Sequence, residues 1–361
     1  MMKDQPLKTE VMRVNVRFLV GAVLIGTFVL NGCGPVPMTY VLSDATKKAL
    51  DEPKQELLSN ALDAYFGTPD APKIPEPLKR VLKGDEAKLA EGATSYRRLC
   101  MHCHGLSGDG GGPTAKFVLP VPRDYRKGLF KFTSTDQTAS PTRDDLKRTL
   151  LNGIPGTSMP SFALFKEQEV ENILDYVILL SVRGLTEAFV VDELETGTGE
   201  IDAATVASNS TAVSNRWVGT ETRVVTPKAQ RTTPDVDSIE RGRQLYLSDR
   251  AQCKKCHGPE GLGDGLMNDP NADPKDTKDS WGNQARPANL TVGVYRGGGR
   301  PIDLFRRIHS GIKGTPMPGQ STNLQKEEEI WDLVNYIKSL PFKESTAASS
   351  PGATAHGAGG Q

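Results

Sequence analysis

Cysteine is scarce in this sequence. Five occur among 361 residues; four form two closely spaced pairs and the fifth is Cys33. Such a set is no disulfide framework, because each pair lies too far along the chain from anything else it could bridge to. Net charge is missing too, since 44 basic residues balance 44 acidic ones. That argues against the basic face of a nucleic-acid binder, although a dipole could still steer a protein partner. Aromatic residues are few, at 6%, whereas glycine (36) and proline (25) are frequent, which suits small domains with much loop. Long apolar runs are lacking as well. The uncharged stretch Phe18–Leu30 falls short of the roughly 20 residues that span a membrane.

That stretch has the shape of an export signal. Lys3, Lys8, Arg13 and Arg17 precede it, and "NGCG" follows it. Leu30–Cys33 resembles the lipobox of bacterial lipoproteins, which would make Cys33 the lipidated first residue of the mature chain. An ordinary cleaved signal, or an uncleaved anchor starting nearer Val11, are the other readings. All three place the rest of the protein outside the cytoplasm, on the periplasmic side of a bacterial membrane.

The paired cysteines each sit in Cys-x-x-Cys-His: "CMHCH" at Cys100–His104 and "CKKCH" at Cys253–His257. On a helical turn positions i, i+3 and i+4 share a face, so both thiols and the imidazole point the same way. That arrangement can fix the edge of a flat macrocycle while the imidazole reaches its central iron, and the motif reads as c-type haem attachment. Zinc is the main alternative, but a structural zinc site needs four ligands and neither motif has a second pair nearby. A redox dithiol would want a βαβ setting that the pattern does not offer.

An internal repeat supports haem. "DLKRTLLNGIPGTSMP", residues 145–160, returns as "DLFRRIHSGIKGTPMP", residues 303–318, with Asp, Leu, Arg, Gly, Ile, Gly, Thr, Met and Pro in register. Met159 and Met317 thus follow their histidines in matched Gly/Pro-rich loops that could lie across a haem face. His/Met ligation would raise the reduction potential. His102 faces away from the axial direction, and His309 reads as a helix histidine more than as a rival ligand. Arg123, Arg143, Arg148, Arg286, Arg306 and Arg307 are candidate partners for haem propionates.

On these residues each half resembles a class I cytochrome c domain. The resemblance covers residues 85–184 and 237–342. It implies a mainly α fold and two covalently bound haem c groups, on Cys100 and Cys103 and on Cys253 and Cys256. The axial iron ligands it implies are His104 with Met159 and His257 with Met317. The family's crossing of first and last helices maps to Gly92 and Tyr96 with Tyr176, and to Gly242 and Tyr246 with Tyr336. The proline carbonyl that orients the axial imidazole would fall on Pro122 and Pro287. Gly108–Gly110 and Gly263–Gly265 resemble the family's Gly-Asp-Gly turn.

The expected organisation is a signal with a lipobox (1–33), a Pro-rich tether with a short helix (34–83), cytochrome c domain 1 (84–185), a Thr/Ser/Gly-rich linker (186–235), cytochrome c domain 2 (236–343) and a disordered tail (344–361). Helices are expected over 85–100, 144–151 and 166–183, then 238–247, 302–310 and 325–340. The function this predicts is electron carriage, one electron at a time, in a membrane-associated respiratory chain. The protein would be a shuttle or a subunit of a larger complex, between a quinol-oxidising complex and a terminal oxidase. The long Pro-rich lead-in resembles lipoprotein cytochrome subunits of bacterial oxidase or alternative complex III assemblies. Rival readings are a di-haem peroxidase-like oxidoreductase with one displaceable methionine, and a haem-based redox or gas sensor. No catalytic residue is expected, and no nucleic-acid partner.

Overall fold

A computed structural model of the chain describes residues 38–265 and 277–342. The signal with Cys33 and the tail therefore lie outside the described residues. Eleven α-helices, joined by short 3₁₀ turns and loops, make up the described part; it holds isolated β-bridges but no strand.

The first domain begins earlier than the sequence suggests. Helices α1 (Asp44–Ala49) and α2 (Glu52–Phe66) precede α3 (Glu86–Leu99). Each starts at a side-chain cap, from Ser43, Asp51 and Asp85, which satisfies an orphan N–H of the first turn. The stripe on α2 is a core face: Leu58, Leu62 and Phe66 are fully buried, as is Leu78 in the following 3₁₀ turn. Tyr40 hydrogen-bonds Tyr176 through their hydroxyls (3.1 Å), and Glu187 accepts from Ser43 N and Thr46 Oγ1, each at 2.7 Å. Residues 39–83 are thus part of the domain's core and not a tether.

The expected linker is also corrected. Short α4 (Met101–His104) carries the first cysteine motif, and α5 (Arg143–Asn152) starts at a Thr142/Asp145 capping box. Helix α6 (Glu167–Glu195) then continues past Arg183, and α7 (Ala203–Asn215) packs on it and on α2. Arg183 does not end α6, because its guanidinium is buried, paired with Asp63 at 3.0 Å and stacked over Tyr40. Val206, Ser210, Val213 and Ser214 of α7 are buried, and Trp217 closes the layer. Residues 186–223 therefore belong to the first domain, and 224–235 lead into the second, where Val225 and Ala229 pack against its core. Among the described residues no helix is long and apolar enough to cross a membrane.

The second domain is more compact. Helix α8 (Val236–Leu247) leads to α9 (Cys253–His257), then α10 (Pro301–Ser310) and α11 (Glu327–Ser339). In both domains the helix before the cysteine motif and the helix after the methionine loop, α3 with α6 and α8 with α11, cross at a glycine. A Cβ on Gly92 would lie 2.1 Å from the Asn172 carbonyl oxygen, and one on Gly242 2.1 Å from that of Asp332. Beside each crossing a tyrosine pair packs tilted, Tyr96 with Tyr176 (5.2 Å, 59°) and Tyr246 with Tyr336 (5.3 Å, 57°). The crossing predicted from Gly92, Tyr96 and Tyr176, and from their second-domain counterparts, is therefore formed twice.

Candidate haem-binding sites

The cysteine turn is held the same way in both copies. Tyr96 Oη donates to the Gly105 carbonyl (2.9 Å) and Tyr246 Oη to that of Gly258 (2.7 Å), so each crossing tyrosine braces the residue after the histidine. Gly105 (φ 74°) and Gly258 (φ 74°) are left-handed, which lets the chain leave the turn at once. Gly110 N then bonds His104 O, and Gly263 N bonds His257 O. Gly110 thus pairs with Gly263, and Gly108 with Gly261. The turns align two residues from the expected register, and the extra length of the second domain follows after Gly265.

His104 is buried and its Nδ1 lies 3.0 Å from the carbonyl oxygen of Arg123; His257 Nδ1 lies 3.0 Å from that of Ala288. The predicted orienting carbonyls, Pro122 and Pro287, are each one residue off. They face Gly110 and Gly263 instead, where a Cβ would lie 2.7 Å from either oxygen. Burial pushes His104 down to about 4 and lowers His257 as well, against the rise that each backbone bond causes. Each imidazole is then neutral near pH 7, with Nδ1 engaged and Nε2 left as the coordinating nitrogen.

Burial also raises the Cys100 and Cys253 thiols, each to about 12. None of the four motif cysteines is in a disulfide. Among the described residues no group of three or more His, Cys, Asp or Glu side chains gathers as a metal site, so the zinc reading has no ligand set behind it.

The two methionine loops superimpose bond for bond. Ile154 N donates to Met159 O and Ile312 N to Met317 O, each at 3.1 Å. Thr157 Oγ1 donates to Ile154 O (2.8 Å) and Thr315 Oγ1 to Ile312 O (2.7 Å), and each threonine oxygen also accepts from the methionine N–H. A glycine opens each loop with positive φ, Gly153 (64°) and Gly311 (72°), where a Cβ would strike the loop's own backbone. Both methionines are half-buried. Two thiols, a neutral imidazole and a pinned thioether loop fit a c-type haem in each domain.

Other predicted residues are accounted for otherwise. His102 is exposed. His309 bonds Ser310 (3.0 Å) and stacks on Phe305, as a helix histidine does. Arg143 is occupied by Glu171 and Asp175, and Arg148 by Asp145. Sequence reasoning missed Tyr125, whose ring stacks on His104 (4.8 Å, 19°) and continues through Phe130 to the edge of Trp217. The second domain has Leu290 at the equivalent place, so the repeat carried no signal for it.

Fold and site together define class I cytochrome c, twice over. Residues 239–341 match the family model "Cytochrome c", and residues 87–177 match "Cytochrome C oxidase, cbb3-type, subunit III". The chain is therefore a tandem of two cytochrome c domains, which implies covalently bound haem c and haem electron transfer. No curated protein matches it. Among solved structures it is similar to a chain of the Kuenenia stuttgartiensis reducing HAO-like protein complex Kustc0457/Kustc0458, at 27% identity and a TM-score of 0.53. The match covers 69% of this chain and 95% of that one.

Proposed function

We propose that this protein is a di-haem electron carrier that passes single electrons between redox partners of a respiratory chain, as a fixed subunit of a larger complex. The observation that carries this reading is the duplicated site, in which each domain repeats the same cysteine turn, imidazole support and methionine loop. In each domain the imidazole and the methionine loop would together hold the haem, an arrangement that suits electron exchange over substrate binding. When bound, the haem supplies the redox couple. The chain's part is to attach it, fix the imidazole, lay the thioether over it and exclude water.

Subunit status is favoured over free diffusion because the similar chain from Kuenenia stuttgartiensis belongs to a two-protein complex. We place the protein on the outer face of a bacterial cytoplasmic membrane, held there by lipidated Cys33. Cys33→Ser should then release it from membranes with its haem intact; retention would point to an uncleaved apolar anchor.

The deciding experiment is expression with a c-type maturation system, followed by a pyridine haemochrome assay and a peroxide assay. Two haems per chain that survive denaturation, without peroxide turnover, are expected. One haem or none removes the di-haem reading. Two haems with rapid peroxide turnover would favour a peroxidase-like enzyme in which one methionine loop is a gate.

A further inference from the structure

The second domain is longer than the first between Gly265 and its histidine-holding carbonyl at Ala288. The described end of this insertion, 277–286, is a closed loop. Asp279 N bonds Asn283 O (2.8 Å), Ala285 N bonds Thr277 O (2.7 Å), and Asp279 Oδ1 accepts from the N–H groups of Trp281 and Asn283. The loop projects Trp281 across to the first domain. There the Arg123 guanidinium lies 3.6 Å from the ring centroid, well inside cation–π range, and Nε1–H donates to the Asp124 carbonyl (3.3 Å). Lys131 pairs with Asp279 (3.0 Å), and Lys127 donates to the Ser280 carbonyl (2.6 Å).

The same ring also faces its own domain's methionine loop. A Cβ on Gly314 would lie 2.6 Å from Trp281 Cζ3, and Ser280 N donates to Gly314 O (2.9 Å). Beside it Lys313 crosses into the first domain, with Nζ 2.9 Å from Thr135 Oγ1 and 2.5 Å from Ala139 O. Among the described residues the loop bearing Met159 shows no such bracing: Pro155 stands where Lys313 does, and a Cβ on Gly156 would touch Val294 alone, at 3.6 Å.

We propose that Trp281 is a positioning residue shared by the two redox sites, tying the carbonyl that holds His104 to the loop that presents Met317. One side of the ring fixes Arg123 and Asp124, and through Arg123 O the orientation of the first axial imidazole. The other fixes Gly314, three residues from the second axial thioether. The two sites are then not independent carriers, since a displacement of this ring reaches both.

This inference rests on the di-haem reading, and the test separates the two. Matured full-length protein is compared with Trp281→Ala, Trp281→Phe, Lys313→Met and Val294→Ala. For each, the haem count, both midpoint potentials and the long-wavelength methionine–iron band of the ferric form are measured. Trp281→Ala should shift both midpoints and remove up to half of the band, the Met317 share. Trp281→Phe, which keeps the ring face and lacks the N–H, should restore the band while leaving the first midpoint displaced. Lys313→Met should move the second midpoint alone, and Val294→Ala should leave the second site as it was. Two haems per chain with unmoved midpoints in Trp281→Ala, or a shift at one site only, would overturn the proposal. If Trp281→Ala does not fold, an unshifted first midpoint in Trp281→Phe overturns it equally. A wild-type count other than two would sink the di-haem reading itself.

Discussion

Leu129 and Val294 hold equivalent places in the two domains, and each lies against the methionine loop of the other. Leu129 Cδ1 would be 3.5 Å from a Cβ on Gly314, and Val294 Cγ1 3.6 Å from one on Gly156. Each follows a left-handed glycine, Gly128 (φ 63°) or Gly293 (φ 72°), that turns the chain outward. The domains thus pack with a reciprocal contact at the loops that present Met159 and Met317, so repeat symmetry in the sequence becomes approximate symmetry at the interface.

Removing either methionine should open one iron and spare the other's ligand. Met159→Ala is expected to abolish about half of the methionine–iron band, lower one potential and admit carbon monoxide at one haem, since the thioether favours ferrous iron. Met317→Ala should do the same at the second haem. Carbon monoxide uptake by the unmutated protein would contradict two closed sites.

The helix crossing in the second domain leaves no room for a side chain. Gly242→Ala would place a methyl 2.1 Å from the Asp332 backbone oxygen, which can yield only if α8 and α11 separate. Overpacking of this kind costs about 1–3 kcal/mol, and a backbone obstacle puts it at the upper end. In a domain of this size a loss of ~3 kcal/mol lowers Tm by more than about 10 °C. An unchanged melting curve would mean that the helices do not meet there.

Leu62 tests whether residues 39–83 are core. It is fully buried on α2, so Leu62→Ala should cost about 2–5 kcal/mol, whereas truncating a residue in a tether would cost almost nothing. Urea denaturation followed through the haem absorbance should show early loss of the first domain with the second transition nearly in place.

Lys313 gives the interface a pH signature. Burial lowers it from 10.5 to about 8, partly offset by Asp136 and Asp145. Between those values the unfolded chain binds the proton and the folded one does not, so stability rises with pH across that window. Relative to Lys313→Met, the wild type should gain about 2 kcal/mol between pH 8 and pH 10. Paired denaturation curves at the two pH values check this; a constant difference would place the ammonium in solvent.

What could be read from the sequence was whatever local spacing encodes and the repeat confirms. The cysteine turns, the methionine loops and the glycine–tyrosine crossings are such patterns, and five of the six expected helices fall within about two residues of those observed. The sixth was cut short at Arg183 and Gly184, which look like a helix end. In the fold Arg183 is neutralised by Asp63, and Gly184 admits Arg126, whose Cβ lies 2.3 Å from where a side chain would begin. Helix α7 reads as linker in the sequence because its buried face is built from Asn209, Ser210 and Ser214 beside two valines. Small polar residues let helices approach closely, but they leave no apolar stripe to see. Trp281 and Lys313 were illegible for another reason: each acts across a domain boundary, on residues more than 150 positions away.

The extension of α6 beyond residue 185 sets where this protein can be cut. A first half ending at the conventional border of a cytochrome c domain would lose Val190, Val191, Val206 and Val213, all buried in the core shared with α2 and α3. A fragment meant to fold alone, for crystallisation or for separate electrochemistry, should run from about residue 39 to beyond Trp217. The second half needs a shorter allowance, back to about Val225, because Val225 and Ala229 pack on its core and Trp331 Nε1 donates to the Ala229 carbonyl (3.0 Å), so dividing the chain yields one large piece and one small.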